Sequence, residues 1–482
     1  MKKKITFIVL ILNIIILNAQ SQIGQDINGV ENWHKLGASV TLTSNGQIMA
    51  IGSGLDGNSG SVSIYQYNVS NNSWEQLGNT ILNNHDILGG AFFGSLKGTL
   101  SLSSNGIRLA VGARDSTLQD TNNDLFNNGS TYVYDYNGTD WVQFGSTIEG
   151  SAPYDYSGSS ISLSADGNRL AIGGNKNSKI YQSNGADWDL IATFNDNQGS
   201  YISLSSDGNK AVIRNYLDNN NTGKVRFVKQ SGSNWPQYGQ TLYGESTGDR
   251  FGISHSFSED GNTIAIGASF DDNNGNNTGS VKTYYFNGST WVQLGQELNG
   301  TNEEDFFGKS ISLTTTGMNR LVIGTPLKDD GSNNSGQVQI FDYDGINWVQ
   351  KGQNINGQSI DDNFGENIYL SKNGLFLATG TQRNNNWFGK VQVYDLSNES
   401  LSIEDIIMSK NNLYPNPTDS TLTLVDSDIK VNYVIILDNI GNVIKKTFFD
   451  NNKIDLSNLA NGFYYLKIHT DKNIITHKVL KK

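Results

Sequence analysis

Cysteine is absent from the 482 residues, and proline nearly so, with five. Without thiols there can be no disulfide framework, thiolate metal site or cysteine nucleophile, so stability must come from a large apolar core. Charged residues are only 17% of the chain and leave a net charge of −12. That sign repels nucleic acid and anionic membranes and argues against both as partners. No stretch shows sustained helical periodicity, and the one long apolar run is Ile5 to Leu17. Lys2, Lys3 and Lys4 precede this run of 13 residues and Ala19-Gln20-Ser21 follows it, so residues 1–21 read as a signal peptide cut before Gln22. The run falls short of the roughly 20 residues a spanning helix needs, so no membrane span is expected after its removal. Losing the three lysines takes the charge from −12 to −15.

What the chain has in plenty is glycine (53), phenylalanine (20) and tyrosine (21), the turn and strand-packing residues of an all-β protein. Tight turns recur at Asn45-Gly46, Asn105-Gly106, Asp166-Gly167, Asp207-Gly208, Asp260-Gly261, Thr316-Gly317 and Asn373-Gly374, with glycine spacings of 60, 61, 41, 53, 56 and 57. Each joins an apolar strand a to a strand b, as in Ile161–Ser164 and Leu170–Gly174. A third strand, c, recurs at Val62, Thr131, Lys179, Lys224, Val281, Val338 and Val391. A fourth, d, carries Trp74, Trp141, Trp188, Trp235, Trp291 and Trp348. The seventh c strand has no tryptophan after it, and Trp33–Gly37 (WHKLG) matches Trp291–Gly295 (WVQLG). The expectation is therefore a seven-bladed β-propeller over residues 22–398, closed by an N-terminal strand at Trp33 to Gly37. Eight irregular blades or a pair of sandwiches are the alternatives. Residues 399–413 break the pattern as a linker, and residues 414–482 read as a small Ig-like β-sandwich of short strands.

Two resemblances sharpen this reading. Tyr414-Pro415-Asn416-Pro417-Thr418, the Asp438-x-x-Gly441 turn, Ile454-Asp-Leu-Ser457, Leu459-Ala-Asn-Gly462-Phe-Tyr464 and the basic tail ending in Lys481-Lys482 resemble the type A sorting domain of type IX secretion. That resemblance implies Sec export to the periplasm, recognition by the secretion machinery, and a secreted or cell-surface destination. Phe251-Gly252, Phe307-Gly308 and Phe364-Gly365, with Ile266–Ala268 and Ile323–Pro326, resemble FG-GAP-like propeller repeats. In that family the a-to-b turn often holds calcium. Here it has shrunk to Asp166-Gly167 or Asp260-Gly261, with too few oxygens for the six to eight ligands the ion takes, so the site is not carried over.

In a four-stranded meander the b-to-c loops and d-to-a crossings share one end, and nearly all insertions fall there. That end is the candidate binding face. Asp155, Asp249, Asp305 and Asp362 recur on the crossings three residues before the glycine that leads into strand a. They are candidate ligand-binding carboxylates, against the blander reading that each caps a turn once per repeat. Asp271, Asp272, Asp329 and Asp330 are weak calcium candidates, lacking the alternating ligands of a known loop; otherwise no cofactor or metal is expected. The five histidines are scattered, and no nucleophile elbow, phosphate loop or dinucleotide fingerprint occurs. Tyr154, Phe306 and Trp387 are loop rings able to stack on sugars. The sequence thus points to a monomeric, non-enzymatic binding or adhesion module for an extracellular polysaccharide or protein. A propeller glycoside hydrolase or lyase and a passive surface protein are the alternatives.

Overall fold

The computed structural model describes residues 20–54, 60–82, 99–119, 125–195, 200–316, 319–329, 333–397, 413–424, 431–437, 443–448, 453–470 and 474–482. Residues 1–19 of the expected signal peptide and most of the expected linker lie outside these residues. The chain divides into two units, Met1–Asn398 and Glu399–Lys482. Among the described residues the only helices are the four-residue segments Asp218–Asn221 and Asn384–Trp387, and none is long and apolar enough to cross a membrane. The protein is all-β.

The first unit holds seven antiparallel sheets of four or five strands in chain order. Their first strands are Ser39–Leu42, Leu100–Leu102, Ser160–Leu163, Ser200–Leu204, Ser254–Phe257, Ser310–Thr314 and Asn367–Leu370. The second strands begin after the glycine turns, for example Arg108–Ala113 and Arg320–Thr325. The turns share one chemistry: the hydroxyl of Ser103, Ser164, Ser205, Ser258 or Ser371 donates to the Oδ1 of the Asn or Asp two residues on, and the glycine adopts a left-handed φ. Burial alone would raise the Asp166 pKa, but donation from Ser164 and Asn168 leaves it below its ordinary value.

Apolar faces of successive sheets pack together. Leu109, Val111 and Trp141 of the second sheet meet Val62 and Ile64 of the first. The same arrangement recurs along the chain until Val391 and Val393 of the seventh sheet meet Val40, Met49 and Ile51 of the first. The set therefore closes on itself. An N-terminal strand completes the seventh sheet, as expected, but it is a different segment: Ser21–Asn28 pairs with Lys390–Asp395, with Gln22 opposite Tyr394 and Ile27 opposite Val391. Trp33 to Gly37 belongs instead to the crossing that leads into the first sheet, where Leu36-Gly37 occupies the Phe-Gly position and Leu36 N donates to Phe388 O at 3.1 Å. The signal for the true register is present in the sequence, since QIGQDING (22–29) matches QLGQELNG (293–300) better than WHKLG matches WVQLG. In the fourth sheet Trp235 heads no named strand. Pro236 follows it and lacks the N–H a ladder needs, leaving an isolated bridge at Gln237 and a fourth strand at Leu242–Tyr243.

Neighbouring sheets are fastened by side chains that imitate a strand. Gln296 Nε2 donates to Trp348 O at 2.7 Å while Oε1 accepts from Trp348 N at 2.8 Å. Gln240 holds Trp291, and Gln25 holds Trp74, in the same way. At the start of strand b, Arg320 makes a bidentate pair with Asp342 (2.7 and 2.8 Å) and reaches Gly374 O in the next sheet at 2.9 Å.

In the second unit, Leu413–Tyr414, Thr421–Leu424 and Lys453–Asp455 form one sheet. Val443–Thr447, Val431–Leu437, Gly462–Thr470 and Ile474–Lys481 form the other. Leu422 and Ile454 from the first meet Val434, Ile436, Leu466 and Val479 from the second in one core.

Replacing Gln296 with Ala leaves the Trp348 backbone N–H and C=O without these partners and is expected to cost about 1–2 kcal/mol in urea unfolding. Gln25→Ala should cost a similar amount through the closing strand. A loss below a few tenths of a kcal/mol for both would show that the apolar interfaces alone hold the sheets.

Candidate functional site at the channel mouth

Each described crossing into strand a lies along the b-to-c loop of the preceding sheet, which brings the two variable loop sets to one end. Phe251 N donates to Thr222 O, Phe307 N to Thr278 O and Phe364 N to Ser335 O, each at 3.0 Å. Phe251, Phe307 and Phe364 are buried, anchoring the crossing. The approach requires glycine on the loop: a Cβ on Gly279, at φ +81°, would sit 2.2 Å from Phe307 O.

The crossing backbone is held in an unusual conformation. Lys35, Tyr156, Arg250, Phe306 and Asn363 stand at the same position of five crossings, all with φ between 51° and 58°. Trp33, Tyr154, Glu304 and Asp361, two residues earlier, are also left-handed. Each such residue costs on the order of 1 kcal/mol or more, and this geometry accumulates at functional loops. It turns large side chains outward: Tyr154 and Trp33 are each more than half exposed.

The four crossing aspartates do not converge as a ring of open carboxylates; each is at most 4% exposed and engaged by its own crossing or by the b-to-c loop of the sheet it leads into. Asp155 accepts from Ser151 N (3.3 Å) and Lys176 N (3.0 Å), Asp249 from Ser246 N (3.0 Å), and Asp362 from Ser359 N (3.0 Å) and Asn384 Nδ2 (2.9 Å). Asp305 pairs with Lys328 Nζ at 2.8 Å. Burial pushes the Asp249 pKa from 3.8 up to about 6, with the Ser246 amide opposing and Asp271, Asp272 and Glu245 adding to the rise. Burial also raises Asp305, against the pull of Lys328.

The calcium candidates are likewise engaged as turn acceptors. Asp271 accepts from Asn273 N (2.8 Å) and Ser280 Oγ (2.7 Å), Asp272 from Asn277 N (2.7 Å) and Asp329 from Asn334 N (2.7 Å), while Asp330 lies outside the described residues. Among the described residues no group of three or more acidic or histidine side chains could hold a metal ion.

Sequence reasoning missed the interior. The first strands of all seven sheets line a central cavity of about 330 Å³, whose wall includes Ser101, Ser162, Tyr201, Ser203, His255, Ser312 and Tyr369. Ser203 Oγ and His255 Nε2 are 2.8 Å apart across neighbouring sheets. At the variable-loop end the wall carries Arg214 and Lys309. Outside the cavity, the Trp33 and Trp387 rings stack at 5.5 Å and 12°, with Lys35 over both and Arg383 4.9 Å from the Trp387 ring. An open groove lined by Ser359, Asp361, Asp362, Arg383, Asn384 and Trp387 adjoins them. Phe306, expected as a sugar-stacking ring, packs edge-on against Phe270 at 5.0 Å.

In the second unit the two ends of the expected sorting signal meet. Thr418 N donates to Leu480 O (2.9 Å), Lys482 N to Thr418 O (2.9 Å) and Leu480 N to Asn416 Oδ1 (3.0 Å). Lys481 is buried, Gly462 is half-buried and Pro415, Asn416, Pro417 and Lys482 are exposed, with a cis bond before Pro417. Tyr414 closes the strand Leu413–Tyr414, while Asp438 and Gly441 lie outside the described residues.

The Asp249 carboxyl gives a pH signature. Its folded pKa exceeds its ordinary one, so its contribution to stability is fully present below about pH 4 and is lost as pH rises through about 6. Asp249→Asn keeps the acceptor for Ser246 and should raise Tm at pH 8 but not at pH 4. An equal effect at both pH values would overturn burial as the cause.

Two family models match parts of the chain. A secretion system C-terminal sorting domain matches residues 412–482, and an FG-GAP repeat matches residues 243–284, which run from the fourth sheet's last strand into the fifth sheet. No curated protein matches. Among solved structures, the hydrazine synthase of Kuenenia stuttgartiensis is similar with a TM-score of 0.50 at 13% identity, covering 77% of this chain and 97% of that one, a likeness of fold alone. A sorting domain of this type marks proteins that type IX secretion exports to the cell surface or beyond, and the chain carries one together with an FG-GAP repeat.

Proposed function

We propose that the seven sheets are the blades of a seven-bladed β-propeller, that the second unit is an Ig-like sandwich serving only export, and that the propeller is a monomeric, non-catalytic binding or adhesion module. Its ligand is an extracellular polysaccharide or protein, engaged through the face that carries the b-to-c loops and the crossings. The observation that carries this reading is the Trp33–Trp387 stack. Two large rings from opposite ends of the first unit's sequence are held with left-handed backbones at an open groove, one of them 54% exposed. Strained backbone that presents apolar rings to solvent has no benefit for the core, whereas aromatic faces flanked by Arg, Asn and Asp groups suit sugar rings or a protein partner's side chains. Non-catalytic action is supported by the engagement of the crossing carboxylates as turn acceptors, which leaves them poorly placed as a paired acid and base.

A glycan and protein array probed with the purified full chain, with and without calcium, tests the reading. Binding to at least one ligand is expected, weakened about tenfold or more by Trp387→Ala with Trp33→Ala, without loss of fold by circular dichroism. Hydrolysis or elimination of a bound glycan would overturn the non-catalytic part. Absence of any ligand would favour a passive surface protein.

A further inference from the structure

A protein with a net charge of −12 places positive charge at the mouth of its central cavity. Arg214 ends strand b of the fourth sheet (Lys210–Asn215) and is only 8% exposed. Its Nη1 donates to Gly252 O at 2.6 Å and its guanidinium lies flat on Tyr201, 3.9 Å from the ring centre, while its Nε has no hydrogen-bond partner. A buried guanidinium nitrogen left unpaired is costly, and the residue that carries it lines the cavity. Lys309, just before strand a of the sixth sheet, lines the same cavity. Its ammonium lies 5.6 Å from the Phe270 ring, and the Arg250 guanidinium 4.2 Å from that ring. Three cations from three different repeats therefore converge on one end of the channel.

The carboxylate that acts on Lys309 is Glu366, which also accepts from Gln382 Nε2 at 2.8 Å. Burial lowers the Lys309 pKa, Glu366 opposes this, and Arg250 and Arg214 add to the lowering as nearby like charges. Around them the first strands supply hydroxyls, among them those of Ser160 and Ser162, which accept from Ile202 N and Leu204 N. Planar guanidinium, ammonium and hydroxyl donors in a partly desolvated cavity match an oxyanion. The volume of about 330 Å³ lies at the lower end of the roughly 300–1,000 Å³ usual for small-ligand sites.

We propose that this end of the channel is a binding site for an oxyanion, a carboxylate or sulfate, with Arg214 and Lys309 as its direct ligands and Arg250 supporting the local field. The oxyanion is either a free small anion or the acidic group of a uronic or sulfated sugar. The site is independent of the Trp33–Trp387 platform, so either can fail without the other.

Titration calorimetry on the purified full chain at constant ionic strength tests it, with sodium sulfate, sodium acetate, digalacturonate and neutral cellobiose as probes. Saturable binding of sulfate or acetate is expected; tighter binding of digalacturonate than of acetate would assign the anion to an acidic sugar, and equal binding to a free anion. Lys309→Met and Arg214→Met should each weaken anion binding at least about tenfold. If Arg214→Met does not fold, Lys309→Met and Arg250→Met carry the test. No saturable binding of any anionic probe, binding unchanged in the folded variants, or cellobiose binding as well as digalacturonate would each overturn the proposal.

Discussion

Neighbouring sheets in the first unit share no backbone ladder, and what joins them at their outer strands is a glutamine amide that reads a tryptophan's backbone. Gln25, Gln240 and Gln296 each present one donor and one acceptor to Trp74, Trp291 and Trp348 of the next sheet. An outer strand of this kind has exposed N–H and C=O groups that favour pairing with anything extended. The amide satisfies them locally. Where glutamine is absent, a carboxylate bridges the sheets instead. Asp140 accepts from Asn79 N and Nδ2, and Asp187 from Ser146 N and Oγ. Beneath them the indole N–H of Trp74, Trp141 and Trp348 donates to Ile23 O, Leu77 O and Leu294 O of the preceding sheet, and the spacing between sheets follows.

With that spacing set, the other features of the molecule follow from it. The inner strands are held far enough apart to leave a cavity, and the crossings are laid along the preceding loops so closely that glycine is required beneath them. Charge is distributed accordingly. The repeated carboxylates are drawn into turns, where backbone amides satisfy them. Cations meet aromatic faces at the channel mouth, Arg214 on Tyr201 and Arg250 on Phe270.

The strand repeats, the glycine turns and the sorting domain were legible in the sequence because each depends on local chemistry. A Ser-x-Asp-Gly turn satisfies itself within five residues, and alternation along a strand declares its buried face. The closing strand was legible too, but only to a comparison of the right segment. Trp33 drew attention because tryptophan is rare, while Gly24-Gln25 carried the register, repeating Gly239-Gln240 and Gly295-Gln296. The glutamine's partner is one whole repeat away, so its meaning is not local.

By itself, the sequence determined that the chain is all-β, that its repeat has four strands, that cysteine chemistry is excluded, and that the C-terminal seventy or so residues are an export signal. Only the tertiary structure decided which segment completes the seventh sheet, that Asp155, Asp249, Asp305 and Asp362 are buried against loop partners, and that Arg214, Arg250 and Lys309 share one mouth. The reason is physical. Residues at equivalent positions of a repeat are visible as a pattern, whereas residues at different positions of different repeats become neighbours only when the sheets close on one another.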